Sequence, residues 1–482
     1  MPPRNRHSKA EHRPTVASTR RPRGDAENNA HSTRSHAAFT NAPILSLPLE
    51  LLGEIFILSL PTIHELYKRH AAEGVKRTNP FVLCAVCSSW RSLAFSTPRL
   101  WKQVFVRVPI GMTKDQASKK AADLVPWIER SRTLPLTLHI SCDFYKSLDG
   151  AGTESPIVSV LNDYSTRWQS LYLRDHFSVP EIPPSPKPLR LFHFDGWCSL
   201  RRISFFGPHR IPLVNKAIPW AQLTHLHVRG HISCQTAETI FMECPKLVQL
   251  SLSVNSTLGM TGVPIILHDL VTFSLRAMEC LPMLVHRLSL PSLRDIFLDG
   301  VWTTDIEPLL NLFTRSSCTL NNLVIGGSDL TPRDYLNVLA HRSCNSLISL
   351  TMCSIYWLRD PPSIDDEVLR RLTLHRNDTL CPYLKFLTID LDIQSSSHST
   401  LLNMVKSRIG FRAGQSSLQY LYFKVERLNN FGKLYGIGRR SGMEYIRRKH
   451  PGSDDIYQVF LRRRGIMMQF PSNDRSFFLD EI

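Results

Sequence analysis

Leu247-Val248-Gln249-Leu250-Ser251-Leu252 carries apolar residues at its first, fourth and sixth positions. The last two alternate with polar residues, as on a strand with one buried face. The same spacing recurs along the chain, at Leu200/Ile203/Phe205, Leu223/Leu226/Val228, Leu270/Phe273/Leu275 and Leu293/Ile296/Leu298. It continues at Leu320/Leu323/Ile325, Leu347/Leu350/Met352, Leu384/Leu387/Ile389 and Leu418/Leu421/Phe423, and Trp168/Leu171/Leu173 is an earlier member. From Leu200 the first positions are 23, 24, 23, 23, 27, 27, 37 and 34 residues apart. A period in the twenties is that of a solenoid unit, which buries its apolar face only by stacking on its neighbours.

Helix signals fill the intervals. Thr331-Pro332-Arg333-Asp334 offers an N-cap, Pro at the first helical position and an acid at the third, ahead of Tyr335, Leu336, Val338 and Leu339. Ser363-Ile364-Asp365-Asp366 precedes Val368 to Leu372 in the same way, and Ser399-Thr400 precedes Leu401, Leu402, Met404 and Val405. Earlier, a helix is expected to end at Trp127 to Ser131, and Leu134 to Ile140 alternates like a strand. Each unit therefore reads as a strand followed by a returning helix or loop. The longest insertions fall between Met352 and Leu384 and between Ile389 and Leu418.

The N-terminal part has a different period. Leu47-Pro48-Leu49-Glu50-Leu51-Leu52-Gly53-Glu54-Ile55-Phe56 predicts an amphipathic helix opened by Pro48, with Leu51, Leu52, Ile55 and Phe56 on one face. Leu83-Cys84-Ala85-Val86-Cys87-Ser88-Ser89-Trp90-Arg91-Ser92-Leu93-Ala94 predicts a second, with Leu83, Val86, Cys87, Trp90 and Leu93 on one face. Two short helices of this kind need the rest of the chain or a partner to cover them. The segment resembles an F-box, the helical module that docks on the Skp adaptor of SCF-type cullin–RING ubiquitin ligases, although its connection through His64 to Asn79 is longer than usual. The resemblance implies an adaptor-docking set of Leu47, Pro48, Leu51, Leu52, Ile55, Phe56, Leu83, Val86, Cys87, Trp90 and Leu93.

Ser96-Thr97-Pro98-Arg99-Leu100-Trp101, Leu134-Pro135-Leu136-Thr137-Leu138, Asp366-Glu367-Val368-Leu369 and Leu380-Cys381-Pro382-Tyr383-Leu384 extend the likeness. Residues 44–425 resemble the fungal, basidiomycete-type F-box proteins with degenerate leucine-rich repeats. An asparagine just after the third apolar position, usual in regular leucine-rich repeats, is met only by Asn255; His231, Val301, Ser328, Ile355 and Asp392 stand elsewhere. The expected fold class is α/β: a short helical F-box module, then an irregular leucine-rich-repeat-like solenoid of strand–helix repeats. The expected domains are a disordered basic tail at 1–42, the F-box at 44–108, the solenoid at 124–425 and a basic C-terminal cap or extension at 426–482.

The formal charge of +17 is concentrated at the ends. Residues 1–40 hold eight Lys/Arg against three Asp/Glu, and residues 427–482 hold eleven against six. A uniform nucleic-acid-binding face is not indicated. The basic runs around Arg439-Arg440, Arg447-Arg448-Lys449 and Arg462-Arg463-Arg464 read as the solvated face of a cap. The N-terminus is Arg-rich with no apolar region behind it, and eleven cysteines read as free thiols, so an intracellular chain, cytoplasmic or nuclear, is expected.

Catalytic signatures are missing. G-x-S-x-G, a P-loop and G-x-G-x-x-G in strand–helix context are absent. Cys84-Ala85-Val86-Cys87 has no second pair for a zinc site and falls within the second helix, so packing is its expected role. Cys198, Cys244, Cys318, Cys344 and Cys381 sit two or three residues ahead of a repeat and read as small buried corner residues. No enzyme activity, cofactor or metal is expected.

The resemblance implies a substrate receptor whose F-box holds the Skp adaptor and the cullin–RING ligase while the repeats hold a target protein. On each repeat strand the residues between the leucines point away from the core. The target-facing residues expected on this ground are His225, His227, Arg229, Gln249, Ser251, Ser253, Asp295, Phe297, Asp299, Phe386, Thr388 and Asp390. Two other readings stay open: a nucleic-acid-associated protein using its basic tails, and an F-box scaffold that recruits no cullin.

Overall fold

The computed structural model describes residues 43–60, 79–109, 111–142, 155–175, 199–207, 218–256, 263–277, 280–327, 329–354, 363–374, 379–393, 398–409, 418–426, 431–440, 443–449 and 456–463. The 1–42 tail, most of the His64–Asn79 connection, Cys198, Ser328, Ile355 and Arg464 lie outside these residues. The chain divides into two units, Met1–Ser59 and Leu60–Ile482.

In the first unit a short 3-10 turn, Pro43–Ser46, leads to helix α1, Leu49–Ser59. Pro48 precedes the first helical residue, and its carbonyl accepts from the Leu52 N–H at 3.0 Å. The missing N–H of proline costs nothing there.

Beyond residue 78 the described residues of the second unit begin with two short helices, α2 (Phe81–Cys84) and α3 (Ser88–Ser96), followed by a sheet covered by helices. Its strands are β1 Gln103–Val108, β2 Leu136–Cys142, β3 Trp168–Asp175, β4 Arg202–Phe206, β5 His225–Ser233 and β6 Gln249–Ser256. They continue as β7 Ile265–Ile266, β8 Thr272–Ala277, β9 Leu288–Ser289, β10 Asp295–Val301, β11 Asn322–Gly327 and β12 Ser349–Ser354. The last are β13 Ser363–Ile364, β14 Phe386–Asp390, β15 Asp392–Ile393, β16 Tyr420–Glu426, β17 Met443–Lys449 and β18 Ile456–Arg463. Among the described residues fourteen of these form one sheet in the order β1-β2-β3-β4-β5-β6-β8-β10-β11-β12-β14-β16-β18-β17. Every pair from β1 to β16 is parallel, and only the β16/β18 and β18/β17 pairs are antiparallel. Two small parallel pairs, β7/β9 and β13/β15, lie in the crossovers.

The repeat leucines explain this arrangement. Leu226, Leu250, Phe273, Ile296, Leu323, Leu350, Leu387 and Leu421 align strand by strand. Val228, Leu252, Leu275, Leu298, Ile325, Met352, Ile389 and Phe423 form a second aligned row. Every apolar residue of the ten sequence units, Trp168 to Phe423, is at most 4% exposed. They share one continuous core with the crossover helices α4 (Lys114–Arg130), α5 (Pro156–Asp163), α6 (Cys234–Glu243), α7 (Leu281–Val285), α8 (Ile306–Ser316), α9 (Pro332–Ala340), α10 (Asp366–Leu372) and α11 (His398–Ile409). From α6 to α11 each helix packs on the next. A further helix, α12 (Phe431–Arg440), precedes the closing hairpin of β17 and β18. The molecule is thus mixed α/β, with a large, mostly parallel sheet and a layer of helices. No described helix is long and apolar enough to cross a membrane.

The sequence boundaries shift at both ends. Gln103–Val108, grouped above with the helical module, is the first strand of the sheet, because Val104 and Val106 continue the two apolar rows. Met443 to Arg463, read as a cap, adds two strands through Leu461 and Val459, which fall opposite Leu421 and Phe423. Thr331 caps α9 as expected, its Oγ1 accepting from the Asp334 N–H. Ser363 does not cap α10. It lies in β13, and Asp365 accepts from the N–H groups of Glu367 and Val368, both at 3.1 Å. Ser399 and Thr400 lie inside α11 rather than ahead of it.

Arginines at helix ends tie successive crossovers together. A helix leaves its last carbonyls without internal partners. Arg315, in the last turn of α8, donates to the carbonyls of Val285 (2.6 Å) and Leu288 (3.0 Å) beside the end of α7. Arg342 donates to the Thr314 carbonyl and the Ser317 hydroxyl at the end of α8. Arg167 reaches back to Leu134 and Ser131 after α4. Arg408 is fully buried and donates to the carbonyls of Leu372, Cys381 (3.0 Å) and Leu380 (2.8 Å). Cys381 adopts a φ of 50° there, a left-handed turn that presents its carbonyl to the guanidinium. Burial lowers the Arg408 pKa to about 10, so the cation persists at neutral pH.

Arg408→Met keeps most of the volume and removes these donors. It should lower the unfolding free energy by about 3 kcal/mol or more, since each buried carbonyl left unpaired costs about 1–3 kcal/mol. Urea unfolding of the variant beside wild type measures this, and a loss below about 1 kcal/mol would show that other groups satisfy the three carbonyls.

Candidate functional site

Helix α1 presents two apolar stripes rather than one. Leu52 and Phe56 are 3% and 1% exposed, whereas Leu51, Ile55 and Leu58 are 54%, 41% and 81% exposed. Helical geometry separates Leu51 from Leu52 by about 100°. Residues 51, 55 and 58 therefore share a solvent stripe, and 52 and 56 share the covered one. The single face expected from the sequence merges the two. Of the other expected docking residues in this unit, Pro48 is exposed and Leu47 half-buried.

The second helix expected from the sequence is also divided. Its pattern breaks at Ala85 to Cys87, where Cys87 is extended (φ −156°, ψ 173°) and caps α3, its Sγ accepting from the Trp90 N–H at 3.5 Å. The serines that follow favour such a cap-and-restart over a continuous helix. Arg91 bridges the break, its Nε donating to the Cys84 carbonyl at 2.9 Å. Val86 is exposed, Leu83 buried, and Cys87, Trp90 and Leu93 half-buried. The expected common face of these five is thus not formed, and Cys84-x-x-Cys87 spans a helix end and a cap rather than the inside of one helix.

An aromatic cluster fixes α2 and α3 to the start of the sheet. Trp101 is fully buried and donates from Nε1 to the Ala94 carbonyl at 2.8 Å. Trp127, from α4, donates to the carbonyls of Trp101 and Gln103. The Phe81 ring lies 5.2 Å from that of Trp101 and 5.8 Å from that of Trp127, both edge to face. The Arg130 guanidinium covers Phe95 at 4.8 Å and Trp101 at 4.9 Å. With one side so anchored, Phe81, Val82, Val86 and Phe95 still keep 39–59% of their surface in solvent.

Fifteen large apolar side chains stand out in solvent among the described residues, and nine of them lie between residues 44 and 95. Five, Ile44, Leu49, Leu51, Ile55 and Leu58, belong to the first unit; four, Phe81, Val82, Val86 and Phe95, belong to the second. The sequence reading missed Ile44, Leu49, Leu58, Phe81, Val82 and Phe95, although the crowding of apolar residues along this stretch was their signal.

The second candidate surface is the sheet face opposite the leucines. His225, Gln249 and Asp295 fall in one row across the strands, with Thr272 between the last two; Phe386 continues it beyond Asn322 and Ser349. His227, Ser251, Phe297 and Thr388 fall in the next row. Ser253, Asp299 and Asp390 fall in the third, with Arg229 beside a bulge of β5. All twelve expected residues therefore lie on this face, but not all are open to a partner. Ser251, Ser253 and Asp390 are 2%, 5% and 3% exposed.

The carboxylates of the face are consumed internally. Asp390 pairs with the Lys424 ammonium and accepts from the Tyr422 hydroxyl. Asp299 pairs with Arg276 at 2.7 Å. Asp295 accepts from Thr272 Oγ1 and from the Asn322 amide. The partners come from neighbouring strands, a detail beyond the reach of strand periodicity.

Strand β5 brings three histidines to this face. Burial, aided by Arg202, pushes His225 down to about 4, and burial, aided by Arg229, pushes His227 down to about 3. His231 is lowered in the same way, by burial and Arg276, and its Nδ1 lies 3.2 Å from the Ser253 hydroxyl. All three are neutral at physiological pH.

No known protein family matches this sequence, and no curated protein does.

The repeat-corner cysteines Cys244, Cys318, Cys344 and Cys381 are buried and free. Burial raises the thiol pKa of each, to about 12 for Cys244 and Cys381. Arg439, Arg447 and Arg448 are exposed, and Arg462 pairs with Glu444 at 2.9 Å across the closing hairpin.

Asp390→Ala should destabilise the chain by about 3–5 kcal/mol, because it strands the Lys424 ammonium in a buried site. Asp390→Ala combined with Lys424→Met should recover most of that loss. Denaturant titration of the two variants checks it; equal losses in both would show that the pair is not coupled.

Proposed function

We propose that this chain is a non-catalytic substrate receptor of an SCF-type cullin–RING ubiquitin ligase. In this reading residues 44–108 act as an F-box on a Skp-type adaptor. The sheet and its helices act as an irregular leucine-rich-repeat-like solenoid that holds a target protein. One observation carries the reading: nine large apolar side chains stand in solvent between residues 44 and 95. The rest of the described chain, several times longer, exposes six. Within each unit, exposed apolar side chains crowded on short helices mark a protein-docking surface.

The supporting sequence feature is Leu47-Pro48-Leu49-Glu50-Leu51-Leu52 followed by Val86-Cys87-Ser88-Ser89-Trp90-Arg91. The docking residues this reading uses are the exposed ones of the expected set, Pro48, Leu51, Ile55 and Val86, joined by Leu58, Phe81 and Phe95. Leu52, Phe56 and Leu83 are assigned to holding the helices in place. No covalent chemistry is assigned to the chain itself. Its contribution is effective concentration: a target held near a bound ubiquitin-conjugating enzyme meets it intramolecularly.

The test is Leu51→Asp with Val86→Asp. Both positions are exposed, so the unfolding free energy should stay within about 0.5 kcal/mol per site. A carboxylate buried in an apolar interface costs several kcal/mol, so adaptor affinity should fall by roughly 100-fold or more. Co-purification of a Skp-type adaptor with wild type and its loss with the double variant is the expected result. Retention of the adaptor at wild-type level would contradict the docking assignment.

A further inference from the structure

Two cysteines open neighbouring helices of the helical layer. Cys234 is the first residue of α6, directly after β5, and Cys280 is the N-cap of α7, which follows β8. The two helices pack on each other. Both thiols are free and fully buried, and they are hydrogen-bonded to one another. Other cysteines bond to different groups: Cys318 donates to the Ser343 hydroxyl and Cys353 to the Ile325 carbonyl, each at 3.8 Å, and Cys87 accepts from the Trp90 N–H.

The surroundings make the two sulfurs unlike. Cys280 has the Val254 carbonyl as an acceptor at 3.8 Å. When Cys234 ionises, the same S–H turns to its sulfur, and this hydrogen bond lowers the Cys234 pKa against the effect of burial. Cys280 is raised by that bond, by burial, and by the charges of Cys234 and Asp305. The backbone adds to the asymmetry. Cys234 lies in the first turn of a ten-residue helix, whose free N–H groups favour a thiolate. Helix α7 has five residues and little stability of its own. Its local opening admits a small oxidant to sulfurs that are otherwise closed off. Cys234 is thus suited to attack and Cys280 to resolve.

We propose that Cys234 and Cys280 are a redox pair, which a hydroperoxide converts to a disulfide joining the α6 and α7 crossovers. The Cys234 thiolate attacks one peroxide oxygen. An S–O bond forms, the O–O bond breaks, and the leaving oxygen takes up the proton that Cys234 released, giving water or an alcohol. The Cys280 sulfur then attacks the sulfur of the Cys234 sulfenic acid. The S–S bond forms, the S–O bond breaks, and the hydroxyl leaves as water with the Cys280 proton. The two thiols supply two electrons and the hydroperoxide accepts them; a small thiol reductant reverses the change. The link closes a loop that contains β6, β7 and β8 and so stabilises that stretch of the sheet against unfolding. The inference does not rest on the receptor reading and is independent of how the adaptor docks.

The test uses the full chain, reduced with dithiothreitol, desalted, and treated with hydrogen peroxide under native conditions. Non-reducing proteolysis with mass spectrometry should find one dominant linked peptide, containing Cys234 and Cys280, that dithiothreitol separates. The oxidised chain should melt several degrees above the reduced one, and dithiothreitol should return it. In Cys280→Ser the link is lost and Cys234 stops at the sulfenic acid. Dimedone should then label Cys234 at least about tenfold faster than Cys244, whose thiol burial pushes up to about 12. In Cys234→Ser, Cys280 should stay unlabelled over the same time.

Absence of the Cys234–Cys280 peptide from the native chain overturns the proposal. So does its appearance only after urea is added, or in an amount no greater than other cysteine pairs. Labelling of Cys280 in Cys234→Ser as fast as that of Cys234 in Cys280→Ser overturns the assigned roles. Should either serine variant fail to fold, the linked peptide of the wild-type chain and its reversible melting shift decide the proposal by themselves.

Discussion

A parallel strand with leucines on one face is not stable by itself. Its N–H and C=O groups need the next strand, and its leucines need a second layer. In this chain both needs are met by one register. The inward rows through Leu250 and Leu252 run unshifted from β1 to β16, so that each strand completes the hydrogen bonding of the last and extends the same core. A slip of one residue in any strand would turn its leucines to solvent. The register therefore fixes more than the core. It also fixes which residues share the opposite face, and places His227 beside Ser251 and Arg276 beside Asp299.

The layer of helices is held in step by a second device. Arg315, Arg342 and Arg408 each end one crossover and satisfy a carbonyl at the end of an earlier helix, and Arg167 does the same for the Leu134 carbonyl in the turn after α4. A cation at a helix C-terminus also favours the local dipole. The ends of the sheet are handled differently. At one edge the cluster of Trp101, Trp127, Phe81 and Arg130 abuts β1; at the other the antiparallel hairpin of β17 and β18 closes the ladder.

Much of the fold was legible because a strand period of two and a unit length in the twenties are properties of apolar spacing alone. Thr331, Pro332 and Asp334 likewise announce a helix start by local chemistry. The break at Cys87 was not legible, since Val86 and Cys87 fit a continuous helix as well as a cap. On α1 the apolar spacing fitted one broad face, and only the structure separates the covered Leu52 and Phe56 from the exposed Leu51 and Ile55. On the sheet, periodicity placed all twelve expected residues on the face opposite the leucines. It gave no sign that Asp295, Asp299 and Asp390 are bonded to partners from neighbouring strands, 23 to 34 residues away in the chain. Those partners are defined by register, which no local pattern states. The β1 strand and the closing hairpin escaped notice because neither carries the full three-point repeat.

The receptor reading assigns adaptor docking to exposed apolar side chains in each of the two units and target binding to the polar face of the sheet. Its central claim is that the apolar side chains exposed between residues 44 and 95 are covered by a Skp-type adaptor. Calorimetric titration of the full chain with a purified adaptor, repeated at several temperatures, tests this most directly. The account predicts one adaptor per chain and a clearly negative heat-capacity change, the signature of apolar surface leaving water. Absence of binding, or binding with no heat-capacity change, would contradict it.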